Sequence, residues 1–249
     1  MKKIVSAILA LALCAGVAVA ASGCGEKSKN SNKGTTSTSS GPGYRVEPTK
    51  PDFEEGDFGY YRLNEKEVKV TEYKGKATKV EIPETVSGAK VTVIESNLFQ
   101  NSAIESVTIP KSVNEIQKYA FAGCQNLKEV TIPEGVSIIG ANAFWNCKNL
   151  TKISLPTTLK TVDWNAFSAT GIQSIEIPES STYSTLSQRL FAQCSKLSQV
   201  TIPVTITTIA DDTFAECAEG LTIKAYTGSY AVSYAKSNGF KVEELPRKQ

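Results

Sequence analysis

Short alternating apolar patterns recur along the chain between about residues 78 and 223. In each pattern two apolar side chains flank a polar one and a proline follows, as in Val107-Thr108-Ile109-Pro110. Period-two alternation places both apolar side chains on one face of a strand. Proline has no N–H to donate to a strand ladder, so each pattern predicts a short strand that ends at a corner.

The Ile/Leu-Pro pairs recur about every 23 residues, and a phenylalanine recurs in step with them. We call these six phenylalanines the Phe column: Phe99, Phe121, Phe144, Phe167, Phe191 and Phe214. Apolar or aromatic residues stand five and eight positions before each, and a small residue stands three positions after it. One unit cannot bury its apolar side alone, so six units in register predict a repeat solenoid with a continuous core.

Two further elements are predicted in each unit. The residues around each phenylalanine favour a single helical or 3₁₀ turn, and the Val-x-x-Ile stretch before them favours a second short strand. The predicted fold class is therefore a mixed α/β solenoid that is rich in strands.

The units resemble the BspA-like class of bacterial leucine-rich repeats, whose pattern is approximately L-x-x-V-x-I-P-x-x-V-x-x-I-x-x-x-A-F-x-x-C. The resemblance covers residues 78–223. It implies a right-handed solenoid on a cell-surface protein that serves adhesion or the binding of a host or other partner. It names no ligand, because fold and function separate easily.

The first 23 residues have the three zones of an export signal: a basic start at Lys2 and Lys3, an apolar run, and a small-residue exit. The segment Ala21-Ser22-Gly23-Cys24 resembles a bacterial lipobox, which implies that Cys24 carries a lipid that anchors the chain in the membrane. The alternative is an ordinary signal peptide cut near Ala20. Residues 24–50 are polar and are expected to form a disordered tether.

Both ends of the repeat region have predicted caps. Residues 51–85 form the N-terminal cap, with strands at Val68/Val70 and Val80/Ile82, a solvated segment at 52–57 and no prediction for 60–62. Residues 86–223 contain about six repeats. Residues 224–249 form the C-terminal cap, in which Ser229 begins a short helix and Asn238-Gly239 ends it.

Charge and composition exclude several classes of function. Removing residues 1–23 leaves 25 basic and 25 acidic side chains, and a neutral chain does not favour nucleic acid as a partner. The chain contains no histidine, which removes Ser-His and Cys-His catalysis. Glu129 with Lys152, and Glu105 with Lys128, are expected to form ordinary ion pairs between strands. We therefore predict no enzyme, no catalytic residues, no metal and no cofactor.

Four cysteines fall in one column of the repeat: Cys124, Cys147, Cys194 and Cys217. An even number in an exported chain fits disulfides, but cysteines of one column are stacked neighbours, and we favour buried free thiols. Zinc is less favoured because no C-x-x-C pair occurs. Ser102 and Thr170 replace cysteine in units with a shorter turn, which we interpret as a turn variant.

Two functions fit this solenoid: a binding module for a protein or glycoprotein, and a passive structural or spacer protein of the cell envelope. For a binding module, one candidate surface is the outward face of the strands, formed by Thr108, Thr131, Ser154, Glu176 and Thr201.

The sharper candidate is the pair of tryptophans, Trp145 and Trp164. Trp145 follows Phe144 directly and Trp164 stands three residues before Phe167, in columns expected to lie outside the core. If the Phe segment is helical, the two rings share one face and form an exposed aromatic patch. The alternative is that the rings stack on each other or fill the groove between units.

Overall fold

A computed structural model describes residues 50–246; the predicted signal peptide, Cys24 and nearly all of the tether lie outside this part of the chain. Its elements, in chain order, are β1 (Phe53–Glu55), β2 (Phe58–Arg62), β3 (Glu67–Tyr73), β4 (Lys79–Glu81), β5 (Thr85–Val86), β6 (Ala89–Ile94), β7 (Ser106–Thr108), β8 (Glu115–Ile116), β9 (Glu129–Thr131), β10 (Ile138–Ile139), β11 (Lys152–Ser154), β12 (Thr161–Val162), β13 (Ser174–Glu176), β14 (Thr185–Leu186), β15 (Gln199–Ile202), β16 (Thr208–Ile209), β17 (Thr222–Tyr226), α1 (Tyr230–Ser237) and β18 (Lys241–Leu245).

The chain winds as a strand-rich solenoid of about eight turns. Each repeat runs through a three- or four-residue strand, an Ile/Leu-Pro corner, a second strand and a segment around its phenylalanine; the second strand has two residues in every repeat but the first, where it is the six-residue β6. The longer strands form the parallel sheets β4-β7-β9-β11 and β13-β15-β17-β18. The shorter ones continue the series β3-β6-β8-β10-β12 and form the pair β14-β16. Both predicted strands of the repeat are confirmed, and the right-handed winding stays a prediction.

The N-terminal cap is an antiparallel hairpin that continues into the first parallel strand. The strands predicted at Val68/Val70 and Val80/Ile82 are present as β3 and β4. The hairpin β1-β2 was not predicted. In β2 the register shifts between Gly59 and Tyr60, so Phe58, Gly59 and Tyr60 are all buried and the alternation that marks a strand is lost.

The helical or 3₁₀ turn predicted around each phenylalanine is not confirmed, since within residues 50–246 the only helix is α1. These segments are runs of tight turns. The residue two before the phenylalanine is left-handed in the first five units, and the residue two after it is left-handed in all six; examples are Tyr119 (φ 59°) and Gly123 (φ 72°) around Phe121. A helix of L-residues cannot continue through such positions.

Successive N–H groups of each segment alternate between two kinds of acceptor. The N–H of Ala122 donates to the carbonyl of Tyr119 in its own turn at 3.0 Å, whereas the N–H of Phe121 donates to Ala143 of the next turn at 2.8 Å. The same pattern recurs at Phe99, Phe144, Phe167 and Phe191. We call the bonds between turns the turn ladder, which joins the repeats along a third face.

The Phe column fills the core between the two sheets and the turn ladder. Successive rings are stacked with centroids 5.0 to 5.8 Å apart and planes within 20° of parallel. Tyr73 covers Phe99 at one end, and Tyr234 and Phe240 cover Phe214 at the other. The caps therefore prolong the aromatic stack and shield its ends from water.

The two strand series are interrupted between the turns of Phe167 and Phe191, where β11 is not paired with β13 nor β12 with β14. The hydroxyls of Ser180 and Thr182 both donate to the carbonyl of Leu159 there, each at 2.9 Å. The turn ladder crosses this interruption intact, since the N–H of Phe167 donates to Leu190 at 3.1 Å.

The predicted C-terminal helix is confirmed as α1. The N–H of Val232 donates to the Ser229 side chain, and Gly239 beyond the helix adopts φ 74°. Its buried face consists of Ala231, Val232, Tyr234 and Ala235. Within residues 50–246, no helix has the length and apolar character needed to cross a membrane.

Replacing Phe144 by alanine should lower the free energy of unfolding by about 3 to 5 kcal/mol, because the cavity lies between two rings that cannot close it. Urea denaturation measures this change. Val204→Ala is the control: this exposed side chain should change stability by no more than about 0.5 kcal/mol. A loss below about 1 kcal/mol at Phe144 would show that the Phe column is not the core.

Candidate binding site

Trp145 and Trp164 lie on the turn-ladder face of two adjacent repeats, and both side chains are partly exposed. Trp145 is 39% exposed and Trp164 is 49% exposed, whereas the neighbouring Phe144 and Phe167 are fully buried. No ring contact joins the two tryptophans within residues 50–246. The rings therefore do not stack on each other.

Asn142 connects the two tryptophans through its backbone. Its N–H donates to the carbonyl of Trp164 at 3.1 Å, and its carbonyl accepts from the N–H of Trp145 at 3.0 Å. One residue thus fixes both tryptophan backbones, with one bond inside a turn and one bond of the turn ladder. We call Asn142, Trp145, Asp163, Trp164 and Asn165 the tryptophan site.

Trp145 and Trp164 do not share a helix face. The segment is not helical, so four positions of separation do not define a common helix face. The column of Trp145 also does not lie outside the core throughout: Ala122, Ser168 and Ala192 of that column are almost fully buried. The small side chains of this column are buried, whereas the larger side chain of Trp145 is partly exposed.

The amides of the tryptophan site were missed by the sequence analysis. Asn142 is 4% exposed and its Nδ2 atom has no hydrogen-bond partner; the buried Oδ1 atom of Asn165 also has none. Both residues stand two before a phenylalanine and are left-handed, with φ of 58° and 57°. Asparagine adopts this conformation more readily than most residues, so its recurrence at Asn97, Asn142 and Asn165 was the available signal.

The tryptophan site carries little charge. From Gly140 to Cys147 there is no charged side chain, and from Asp163 to Thr170 the one charge is Asp163. An exposed charge follows directly at Lys148, and the flanking turns carry Lys118 on one side and Arg189 on the other. Both asparagines are neutral and can both donate and accept hydrogen bonds.

The outward strand face is a second surface with polar character. Thr108, Thr131, Ser154 and Glu176 are exposed, and Thr201 is half-buried. Parallel register places Thr131 beside Ser154, and Glu176 beside Thr201. These side chains form rows along the sheets. They do not converge on a common point, so they do not form a defined binding site.

The predicted strand ion pairs lie on the same face. Lys128 lies 3.7 Å from Glu105, and the register sets Lys152 opposite Glu129. The Lys128 and Glu105 side chains are substantially exposed, and such pairs contribute little to stability. Within residues 50–246, no group of three or more metal-ligating side chains is assembled.

The cysteine column consists of free thiols, three buried and one half-buried, as the sequence predicts. Each thiol donates to the carbonyl of the phenylalanine one turn earlier, at 3.0 to 3.2 Å, for example Cys124 to Phe99. Thr170 instead donates to Phe167 of its own turn at 2.9 Å. The shorter turn thus directs this side chain to a different backbone group.

Three of the thiols, those of Cys147, Cys194 and Cys217, are poor nucleophiles in this setting. Hydrogen bonding to Cys124 and burial raise the pKa of Cys147 well above its usual value, and burial raises the pKa of Cys194. Burial raises the pKa of Cys217 to about 12. Because the thiolate is the reactive form, these cysteines act as small core residues that satisfy backbone carbonyls.

The fold and the repeat pattern define a leucine-rich-repeat solenoid. The family model for the BspA type leucine rich repeat region matches residues 92–222 in six copies, and the chain belongs to this family. The six copies agree with the number of repeats that the sequence predicts.

Two solved structures are similar to this chain. A leucine-rich repeat protein from T. pallidum is 19% identical with a TM-score of 0.50, and the match covers 75% of this chain and 95% of that one. A leucine-rich repeat protein from Bacteroides capillosus ATCC 29799 is 28% identical with a TM-score of 0.43, over 45% of this chain and 86% of that one. The likeness to the T. pallidum protein shows the fold alone. No curated protein matches the chain.

Titration of the unfolded mature chain under non-reducing conditions should find four free thiols besides Cys24. In the folded chain the same reagent should react slowly, because burial and the raised pKa values suppress the thiolate. Cys217 should react first, and Cys217→Ser should remove that fastest phase. Two or fewer free thiols after unfolding would establish disulfides and contradict the thiol column.

Proposed function

We propose that this chain is a non-catalytic binding module, held at the bacterial cell surface by a lipid on Cys24, that binds a protein or glycoprotein through its tryptophan site. Residues 24–50 act as the tether, and residues 51–249 carry the N-terminal cap, the repeats and the C-terminal cap. No cofactor is required, and nucleic acid is not a partner.

The observation that carries the proposal is the pair of partly exposed indoles, on two tryptophans whose backbones both bond to Asn142. Partner surfaces concentrate binding energy on a few aromatic anchors, and tryptophan is prominent among them. An exposed indole leaves apolar area in contact with water, which a partner can cover. The backbone bonds of Asn142 hold the backbones of both tryptophans, so little backbone order is lost when a partner binds.

Support for surface anchoring comes from the first 24 residues. The basic start, apolar run and small-residue exit have the order of an export signal, and Cys24 follows the exit directly. A neutral mature chain and the polar segment 25–50 fit a module held away from the membrane surface.

Cys24→Ser should release the chain from the membrane fraction or leave its leader uncleaved, because serine has no thiol to receive the lipid. Cell fractionation followed by detergent phase partitioning measures this change. The matched control is Cys14→Ser, which lies inside the apolar run and should leave membrane attachment unchanged. Membrane attachment that persists unchanged in Cys24→Ser, with normal removal of the leader, would contradict the anchor.

The double variant Trp145→Ala, Trp164→Ala should lose capture of partners while its thermal melting stays close to wild type. The replaced side chains leave the backbone bonds of both positions in place, which is why the fold should persist. The assay immobilises residues 51–249 and presents host glycoproteins, envelope polymers and the chain itself.

Tyr230→Ala is the control, since Tyr230 is 45% exposed and lies on α1, outside the tryptophan site. It should retain capture. Unchanged capture by the double tryptophan variant would contradict the site, as would a large fall in its melting temperature. If the wild-type chain captures none of the partner classes, the result would instead support a passive spacer protein of the cell envelope.

A further inference from the structure

The tryptophan site combines two aromatic surfaces with neutral amides and a single carboxylate. Trp145 and Trp164 are 39% and 49% exposed, and Asn142 and Asn165 each have a polar side-chain atom without a partner. Asp163, next to Trp164, supplies a carboxylate that accepts hydrogen bonds. These groups determine which ligand chemistry the site complements.

Charged ligands are poorly matched to this surface. The turn segments of Phe144 and Phe167 carry Asp163 as their one charge, so neither a strongly acidic nor a strongly basic peptide finds several opposite charges there. Attraction to such peptides depends on clustered complementary charge. The further charges, Lys118, Lys148 and Arg189, are of one sign and lie one to a turn.

A neutral sugar matches both kinds of group. The C–H groups on one face of a sugar ring carry partial positive charge, and the face of an indole ring is its negative side. The hydroxyls around the same ring both donate and accept hydrogen bonds, as amides do, and a carboxylate accepts from them. Nδ2 of Asn142 and Oδ1 of Asn165 are enclosed and have no partner, which is costly. A small movement of the surrounding side chains on binding would let a sugar hydroxyl or a bridging water reach these two atoms.

Resting on the function proposed above, we propose that the ligand of the tryptophan site is a neutral oligosaccharide, either free or carried by a glycoprotein or envelope polymer. Sugar rings cover the faces of Trp145 and Trp164, and hydroxyls bond to the amides and to Asp163. The specific protein partners of the module are then recognised by their glycans.

The chain provides its own reporter for this proposal, because its two tryptophans are both in the site. The full chain, purified in a detergent without a sugar headgroup, is titrated with the hexamers of maltose-type glucan, cellulose-type glucan and chitin. At least one should change the tryptophan emission saturably. Salt between about 0.05 M and about 0.5 M should alter the affinity less than twofold, because the contacts involve little charge.

Asn142→Gly tests the amide without disturbing the turn, since glycine adopts the left-handed φ of 58° and keeps both backbone bonds. It should weaken saccharide binding about tenfold, the scale of one or two hydrogen bonds. The matched control is Asn97→Gly, which stands in the same column at φ 64° in a turn without tryptophan. It should bind as wild type does.

The outcomes separate this proposal from the wider one. Capture of a glycoprotein that persists after its glycans are removed, with no response to the hexasaccharides, would overturn the saccharide ligand and leave a protein-binding module. An equal loss of affinity in Asn142→Gly and Asn97→Gly, or no loss in either, would overturn the role of Asn142. Absence of any captured partner and of any saccharide response would overturn both proposals.

Discussion

The turn ladder is the interaction on which the rest of this molecule depends. Every second N–H of the Phe segment bonds to the next turn, and this spacing holds successive phenylalanine rings 5.0 to 5.8 Å apart. A single turn can bury neither its phenylalanine nor its valine and isoleucine side chains, so stability arises only between neighbours. The ladder also crosses the place where both strand series stop, which makes it the most continuous connection along the repeats.

The same ladder positions the candidate site. Left-handed residues stand on either side of the first five phenylalanines, and at Asn142 this geometry turns the backbone so that it bonds to Trp145 and Trp164 together. The cysteine thiols bond to phenylalanine carbonyls beneath the same segments. The residues that shape the turns thus also leave two indoles partly exposed on a surface with little charge.

Side-chain periodicity made the strands and the core predictable, because alternation at Val130 and Ile132 and recurrence of phenylalanine report directly on burial. Ser229 predicted its helix for an equally local reason, a side chain that accepts from the first turn. The turn segment was not predictable in this way. Tyr119 and Arg189 adopt left-handed φ although neither type favours it, because bonds to the next turn impose the conformation. The role of Asn142 likewise rests on backbone bonds: the recurrence of asparagine in its column marks the left-handed turn but not the partners of those bonds.

Hydrogen exchange at single amides tests the continuity of the ladder most directly. The N–H of Phe167 crosses the interrupted sheets to Leu190, and that of Phe121 joins two turns whose sheets are continuous. If the ladder holds the solenoid together, Phe167 and Phe121 exchange with similar protection, set by global unfolding. Fast exchange at Phe167 beside slow exchange at Phe121 would show that the two halves open separately there, and would contradict the ladder as the constraint that unites the repeats.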